Sequence, residues 1–418
     1  MRKFILFLTL FFSLAASASK PLKIGVISDI HFLSKELTAE GDALAAYERA
    51  TGRNIRDSHE VLDTVLLNFQ KERTDILLIS GDLTNHGERQ SHLDLIEKLK
   101  SIQRNGTKVF IVPGNHDVNI PDSKAYTGEK PVPVKSISKE EFAEWYAPFG
   151  YGNALKRDDS SLSYIAGINE NTWLLCFDTN RYAEYKTTSV SGGRIISSTM
   201  DWALDILREA KAKNITVLGM MHHGLVEHMP YQSAFFAEYL IEEWKKNAGI
   251  LADAGLKVMF TGHFHSNDIS LFTSPSGNTI YDVETASLAV YPFAYRTMEL
   301  VDGKLSIDTH FVTSVSGNPE LAAQSRSRLE TITLRVAKNR IKNLGISFPV
   351  QTEDVLIKLI AKMNLMHVRG DEAPDEEMKE AIREFAGLLG SEETDSDFQL
   401  DFPPADNRLV IDLTEKVF

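Results

Sequence analysis

The chain has 418 residues, 43% of them hydrophobic and 25% charged, an ordinary globular composition at a length beyond one usual core, so two domains are expected. Its formal net charge of -13 excludes a nucleic-acid-binding surface, which requires a basic stripe. The single cysteine, Cys176, excludes an intramolecular disulfide and reads as a small side chain in a buried strand.

Residues 1–18 read as a secretory signal. Arg2 and Lys3 supply the positive start, residues 4–14 an apolar core, and Ala16-Ser17-Ala18 a small-residue cleavage site. The apolar run is shorter than the ~20 residues that a spanning helix needs; an uncleaved N-terminal anchor is the competing reading. No cysteine near the cleavage region offers itself for a lipid, and no later stretch is apolar enough to span a bilayer. The expected location is periplasmic or extracellular, after cleavage near Ala18.

In chain order, residues 23–28 have strand character and end at Asp29-Ile30-His31. Residues 32–54 read as a long loop with a helical piece. Val61, Leu62, Val65, Leu66 and Phe69 recur at helical spacing and predict a helix over 57–71. A strand over 75–80 ends at Gly81-Asp82. A helix over 88–103 places Leu93, Ile96 and Leu99 on one stripe. A third strand, 109–112, stops at Pro113-Gly114-Asn115-His116-Asp117. This alternation predicts an α/β domain with parallel pairing, where sites assemble at strand ends.

Residues 119–138 hold three prolines, Pro121, Pro131 and Pro133, and read as a surface excursion. Ser138 and Glu141 have capping-box spacing. Strands follow at 162–166 and 172–178, then a helix over 200–213 and a strand, 216–221, ending at His222-His223-Gly224. A helix over 236–252 leads to a strand, 256–260, that ends at Thr261-Gly262-His263-Phe264-His265. Further strands are expected at 278–284, 297–301 and 305–312, with Asp302-Gly303 as a tight hairpin turn. Beyond Ser316 the pattern is helical without a strong strand: 321–344, 352–366 and 375–389. The domains expected are thus 19–315 and a helical 316–418.

Seven side chains at these strand ends can ligate metal: Asp29, His31, Asp82, Asn115, His222, His263 and His265. In extended backbone, Asp-x-His and His-x-His would turn both side chains to one side. Carboxylate, amide and imidazole donors without thiolate suit divalent Mn, Fe or Zn. Seven donors exceed one ion but fit two if Asp82 bridges, and two such ions clamp a phosphoryl group while a hydroxide between them attacks. His116 is then left to assist the leaving group, with Asp117 as its orienting carboxylate.

Taken together, Asp29-x-His31, Gly81-Asp82, Gly114-Asn115-His116-Asp117, His222 and Gly262-His263-x-His265 resemble the five ordered blocks of the calcineurin-like metallophosphoesterase superfamily. The resemblance implies an αββα sandwich of two sheets and a dinuclear site. It implies Asp29, His31, Asp82 and His265 around one metal and Asp82, Asn115, His222 and His263 around the other, with His116 catalytic. The signal and the helical C-terminal part are similar to bacterial members known as cyclic-nucleotide phosphodiesterases. The activity expected is hydrolysis of a small phosphodiester, a 3′,5′-cyclic nucleotide being one candidate. Phosphomonoesters, nucleotides and envelope phospholipid headgroups are the alternative substrates, and a non-catalytic scaffold is the alternative role.

Overall fold

The computed structural model describes residues 20–39, 41–230, 232–343, 349–388 and 403–414. The expected signal, 1–18, and the acidic stretch 392–397 lie outside the described residues.

The first half alternates as its periodicity predicts. Strand β1 (Leu22–Ile27) leads through helices α1 (Asp42–Thr51) and α2 (Ser58–Glu72) to β2 (Ile76–Ile79). Helix α3 (Arg89–Arg104) connects β2 to β3 (Lys108–Ile111). A small hairpin, β4 (Lys124–Ala125) and β5 (Val132–Pro133), precedes α4 (Lys139–Trp145), which starts in the expected Ser138–Glu141 capping box. Next come β6 (Lys156–Arg157), β7 (Tyr164–Asn169), β8 (Thr172–Cys176), α5 (Ser197–Ala212) and β9 (Thr216–Met220). Helices α6 (Gln232–Phe235) and α7 (Trp244–Asp253) lead to β10 (Val258–Thr261) and β11 (Asp268–Thr273). Strands β12 (Thr279–Glu284), β13 (Ala294–Val301) and β14 (Lys304–Phe311) complete the β-rich part. Helices α8 (Leu321–Asn343), α9 (Val350–His367) and α10 (Glu376–Leu388) follow, and β15 (Arg408–Asp412) comes last.

The strands form two main sheets, ordered β15-β14-β13-β1-β2-β3 and β11-β12-β10-β9-β8-β7-β6. In the first, β1, β2 and β3 are parallel, with Ile24 opposite Ile76 and Ile76 opposite Lys108. In the second, β8, β9, β10 and β12 are parallel. Parallel pairing brings the C-terminal ends of each set to one edge, and the motif loops leave from those edges.

Alternation along β8 shows how the layers are made. Leu174 and Cys176 join the larger core with Ile24, Val26 and Leu78, whereas Leu175 and Phe177 face a second core built with Ala203 and Ile206 of α5 and Leu251 of α7. Helix α2 adds Val61, Leu62, Val65, Leu66 and Phe69 to the larger core, each such side chain worth about 1.5–3 kcal/mol on burial. The result is the αββα sandwich expected. Asp302 and Gly303, with φ of 50° and 76°, make the left-handed turn between β13 and β14.

Some expectations are corrected. The helix expected over 236–252 begins only at Trp244, because Leu240 and Ile241 are drawn into bridges with Gly224 and Gly193. On α3 the buried stripe is Leu95, Ile96, Leu99 and Ile102, while Leu93 faces solvent. Residues 119–138 are no mere surface excursion: Tyr126 packs with Leu33 and Leu44, and Ile137 is buried in the larger core. Strand β11 is not expected from the sequence pattern. Nor is β15, which follows the helical region and pairs with β14, placing Leu409 opposite Ile307 and Ile411 opposite Leu305.

The C-terminal helices pack through Ala337 and Ile341 of α8 against Ile357 of α9, and through Leu359 of α9 against Met378 of α10. Helix α8 also reaches the loops around α1, where Arg328 donates to the Arg53 carbonyl at 3.1 Å and Arg335 to that of Ala50 at 2.9 Å. Among the described residues, no helix is long and apolar enough to cross a membrane.

Candidate metal centre

The seven expected donors converge, though not through extended backbone. Asp29, His31, Asp82, His263 and His265 all have left-handed φ, between 45° and 75°. Non-glycine residues adopt that region at a cost of order 1 kcal/mol or more each, which the surrounding packing must offset. Tight left-handed turns, rather than the two-residue period of a strand, therefore aim the paired side chains inward. Glycines make room for this crowding. A Cβ on Gly114 would collide with the Asp82 backbone and carboxylate, and one on Gly262 would collide with Ser28 and the Asp29 carboxylate.

The donors fall into two groups. In one, His265 Nε2 lies 3.2 Å from Asp29 Oδ1 and 3.1 Å from His31 Nε2, and His31 Nε2 lies 3.8 Å from Asp29 Oδ1. In the other, His222 Nε2 lies 3.4 Å from Asp82 Oδ1 and 3.2 Å from Asn115 Oδ1, with His263 alongside. Asp82 faces both, since its Oδ2 is 3.7 Å from His31 Nε2 while its Oδ1 faces His222. His222 Nδ1 donates to the Ser80 carbonyl at 2.8 Å, leaving its lone pair on the Nε2 that faces the group.

Buried electrostatics suit cations here. Asp29 Oδ1 and His31 Nδ1 are enclosed without a hydrogen-bond partner among the described residues. Burial pushes the Asp29 and Asp82 carboxyls upward, yet His265 beside the first and His222 beside the second hold both below the ordinary range. Four imidazoles, two carboxylates and one amide oxygen, arranged in two groups around a shared Asp82, fit two divalent ions of borderline softness.

His116 stands beside these groups. Its backbone N–H donates to Asp82 Oδ1 at 2.8 Å, and its ring meets that of His31 edge-on at 5.3 Å. His116 Nδ1 is 2.7 Å from His86 Nδ1, and His86 Nε2 is 2.8 Å from Asp122 Oδ1. On the other side, His116 Nε2 is 3.2 Å from Arg53 Nη2. Burial, with Arg53 and His86 adding to it, keeps the His116 imidazole well below its ordinary range.

Asp117 does not orient His116, contrary to expectation. Its carboxylate instead accepts from Gly114 N at 2.8 Å, Leu83 N at 3.1 Å and Thr84 N at 2.9 Å. It therefore ties the Asp82 loop to the Asn115 loop, because at that turn the side chain points at backbone donors. The support that sequence reasoning missed is His86 with Asp122, and Arg53. His86 sits four residues after Asp82 on the same loop, which is the one signal in the sequence that points to it. Arg53 carried none.

The polar residues around the centre are placed as follows. His223 is buried, held by Thr179 Oγ1 at 2.6 Å and the Ser191 carbonyl at 2.9 Å. Asn85 accepts from Tyr47 and Arg53, and Thr84 donates to Asp117. Arg181 pairs with Glu184 and Glu242, and Tyr182 donates to Asp178. His228 is wholly buried, away from the two groups, against Asp268 and Asp282.

The family model described as calcineurin-like phosphoesterase matches residues 22–267, more than half of the chain. No curated protein matches it. Among solved structures it is similar to a dimetal phosphatase from Danio rerio, at 15% identity over 70% of this chain and 97% of that one, with a TM-score of 0.49. It is also similar to a purple acid phosphatase from yellow lupin (Lupinus luteus) seeds, at 11% identity over 70% of this chain and 52% of that one, with a TM-score of 0.42. GAP50, the anchor in the inner membrane complex of Plasmodium, shows 12% identity over 74% of this chain and 95% of that one, with a TM-score of 0.37.

Proposed function

The chain belongs to the calcineurin-like phosphoesterase family, and from that premise we propose that it hydrolyses a phosphodiester at a dinuclear centre. Asp29, His31, Asp82 and His265 would hold one divalent ion, and Asp82, Asn115, His222 and His263 the other. The observation that carries this reading is the pair of donor groups sharing Asp82, with His116 Nε2 and Arg53 facing each other beside it.

Ions held there would supply an activated water and charge to offset that of the phosphoryl oxygens. The chain's own residues do the rest. An anionic phosphoryl group drawing Arg53 onto itself offsets the burial and the positive charge that hold the His116 imidazole down. His116 so protonated gives its Nε2 proton to the departing alkoxide while Nδ1 stays bonded to His86. Arg53 Nη2, at 3.2 Å from that Nε2, donates to a phosphoryl oxygen of the substrate. A single guanidinium there matches the one negative charge of a diester. The basic, apolar and small-residue pattern of residues 2–18 supports export.

The test is a substrate panel with purified full chain and defined Mn, Fe or Zn: bis(4-nitrophenyl) phosphate, 4-nitrophenyl phosphate and a 3′,5′-cyclic nucleotide. Metal-dependent turnover of the diesters is expected to dominate. Turnover of the monoester alone would replace the diester reading, and no turnover of any would favour a scaffold.

A further inference from the structure

Away from the two donor groups, another set of ionisable side chains is buried where the helical region meets the sandwich. Asp268 opens β11, Glu284 closes β12 and His367 ends α9, with Glu372 shortly after it. Asp268 and Glu284 are fully enclosed, and His367 and Glu372 are 6% and 8% exposed. Asp268 Oδ1 accepts from His228 at 2.6 Å, Glu284 Oε1 from Ser266 N at 3.2 Å, and Glu372 Oε1 from His367 Nδ1 at 2.7 Å. The second oxygen of each carboxylate, Asp268 Oδ2, Glu284 Oε2 and Glu372 Oε2, is buried with no hydrogen-bond partner among the described residues. His367 Nε2 is likewise unpartnered.

Carboxyl groups crowd this pocket of the fold. Asp268, Asp282, Glu284, Glu372 and Asp406 are all buried, against His228, His367 and Arg296. Burial pushes the Glu284 and Asp406 carboxyls up to about 8, so protons on these two leave Asp268, Asp282 and Glu372 facing the three cations. Asp268 Oδ2 and Glu372 Oε2 still lack a hydrogen-bond partner among the described residues. Arg296, moreover, spends its guanidinium on the carbonyls of Asp406 and Glu284, at 2.6 Å and 2.7 Å, rather than on carboxylates. Burying unmatched carboxylates is costly unless protons or a cation neutralise them.

We propose that Asp268, His367 and Glu372, each offering one ligand atom within 4.8 Å of the others, form a further divalent-cation site that pins the helical region to the sandwich. Two carboxylates and one imidazole select Zn or Mn over Ca. The site borders the proposed catalytic centre through Phe264, which lies between His263 and His265 in sequence. The Phe264 ring meets His367 at 5.6 Å and Tyr239 at 4.6 Å, and Tyr239 meets His263 at 5.1 Å. A filled site therefore braces the loop that carries two donors of the dinuclear centre.

Metal content and thermal unfolding of the full chain, loaded with Zn and freed of excess, decide this. Three equivalents are expected for the wild type, two for Glu372→Gln and for His367→Ala, and one for Asp82→Ala. Glu372→Gln should lower the Tm of the Zn-loaded protein by at least about 2 °C, with the metal-free proteins nearly level. Wild type at two equivalents and Asp82→Ala at none would overturn the site while leaving the dinuclear reading intact. Wild type at one equivalent, lost in Glu372→Gln, would keep this site and overturn the dinuclear reading. Should neither pocket variant fold, the wild-type and Asp82→Ala stoichiometries alone separate these outcomes.

Discussion

His116 Nδ1 and His86 Nδ1 face each other at 2.7 Å, so one nitrogen donates and the other accepts. Asp122 Oδ1, 2.8 Å from His86 Nε2, settles which. A carboxylate accepts, so His86 carries its proton on Nε2 and presents a lone pair at Nδ1. His116 must then donate from Nδ1, which leaves Nε2 as the atom that exchanges a proton with substrate. This Asp122–His86–His116 chain fixes the tautomer of His116.

Removing the acceptor should therefore damage turnover and not metal binding. His86→Ala is expected to lower kcat by about 10–100-fold, with metal content unchanged. His86 adds to the burial that holds the His116 imidazole down, so the alkaline limb of kcat, which reports protonated His116, should move to higher pH. Asp122→Asn should lower kcat more weakly. Unaltered kcat and pH profile in His86→Ala would remove the chain from the mechanism.

Arg53 is held on its other nitrogen by Tyr47 Oη at 2.7 Å and by the Asn85 carbonyl at 3.1 Å. That clamp points Nη2 at His116 and the substrate space. Lysine keeps the charge but loses the planar fork. Arg53→Lys should lower kcat/KM by about 10²-fold, in the range of a lost oxyanion donor. Steady-state kinetics on a diester, with metal content as control, checks it.

Asp117 makes a contrasting case. Its carboxylate accepts three backbone N–H groups from two loops, and an amide would turn an N–H donor toward at least one of them. Asp117→Asn should lose about 1–3 kcal/mol of stability, seen in urea unfolding. The pH profile that reports His116 should survive. A shifted profile with full stability would restore Asp117 to the orienting role that its sequence position suggests.

Glu88, the N-cap residue of α3, is wholly buried, and burial pushes its carboxyl up to about 7. The folded protein keeps this proton after the unfolded chain has released its own near 4.5. The associated stability is full below pH 4.5 and is lost as pH rises through about 7. Wild-type Tm should thus fall relative to Glu88→Gln across that window. Parallel Tm profiles would contradict it.

Much of the fold and most of the centre are legible in the sequence because they rest on local signals. Apolar runs such as 76–79 that stop at Gly-Asp or Pro-Gly mark parallel strands and the loops after them. What stays hidden is carried by contacts between distant loops. His86 and Asp122 are 36 residues apart, and Arg53 and His116 are 63 apart, with no pattern linking either pair. Helix 236–252 fails for the same reason, since bridges to Gly193 and Gly224 outweigh local helical preference at Leu240 and Ile241. β15 is a short strand whose partner, β14, lies about a hundred residues earlier.

The most direct measurement compares wild type, Asp82→Ala and His116→Ala for bound metal and for kcat on bis(4-nitrophenyl) phosphate. The expected result is that His116→Ala keeps its metal and loses about 10²–10⁴-fold in kcat, while Asp82→Ala loses the dinuclear metal and its turnover together. Full metal-dependent activity in either variant would contradict a centre built on a shared Asp82 with His116 as its proton donor.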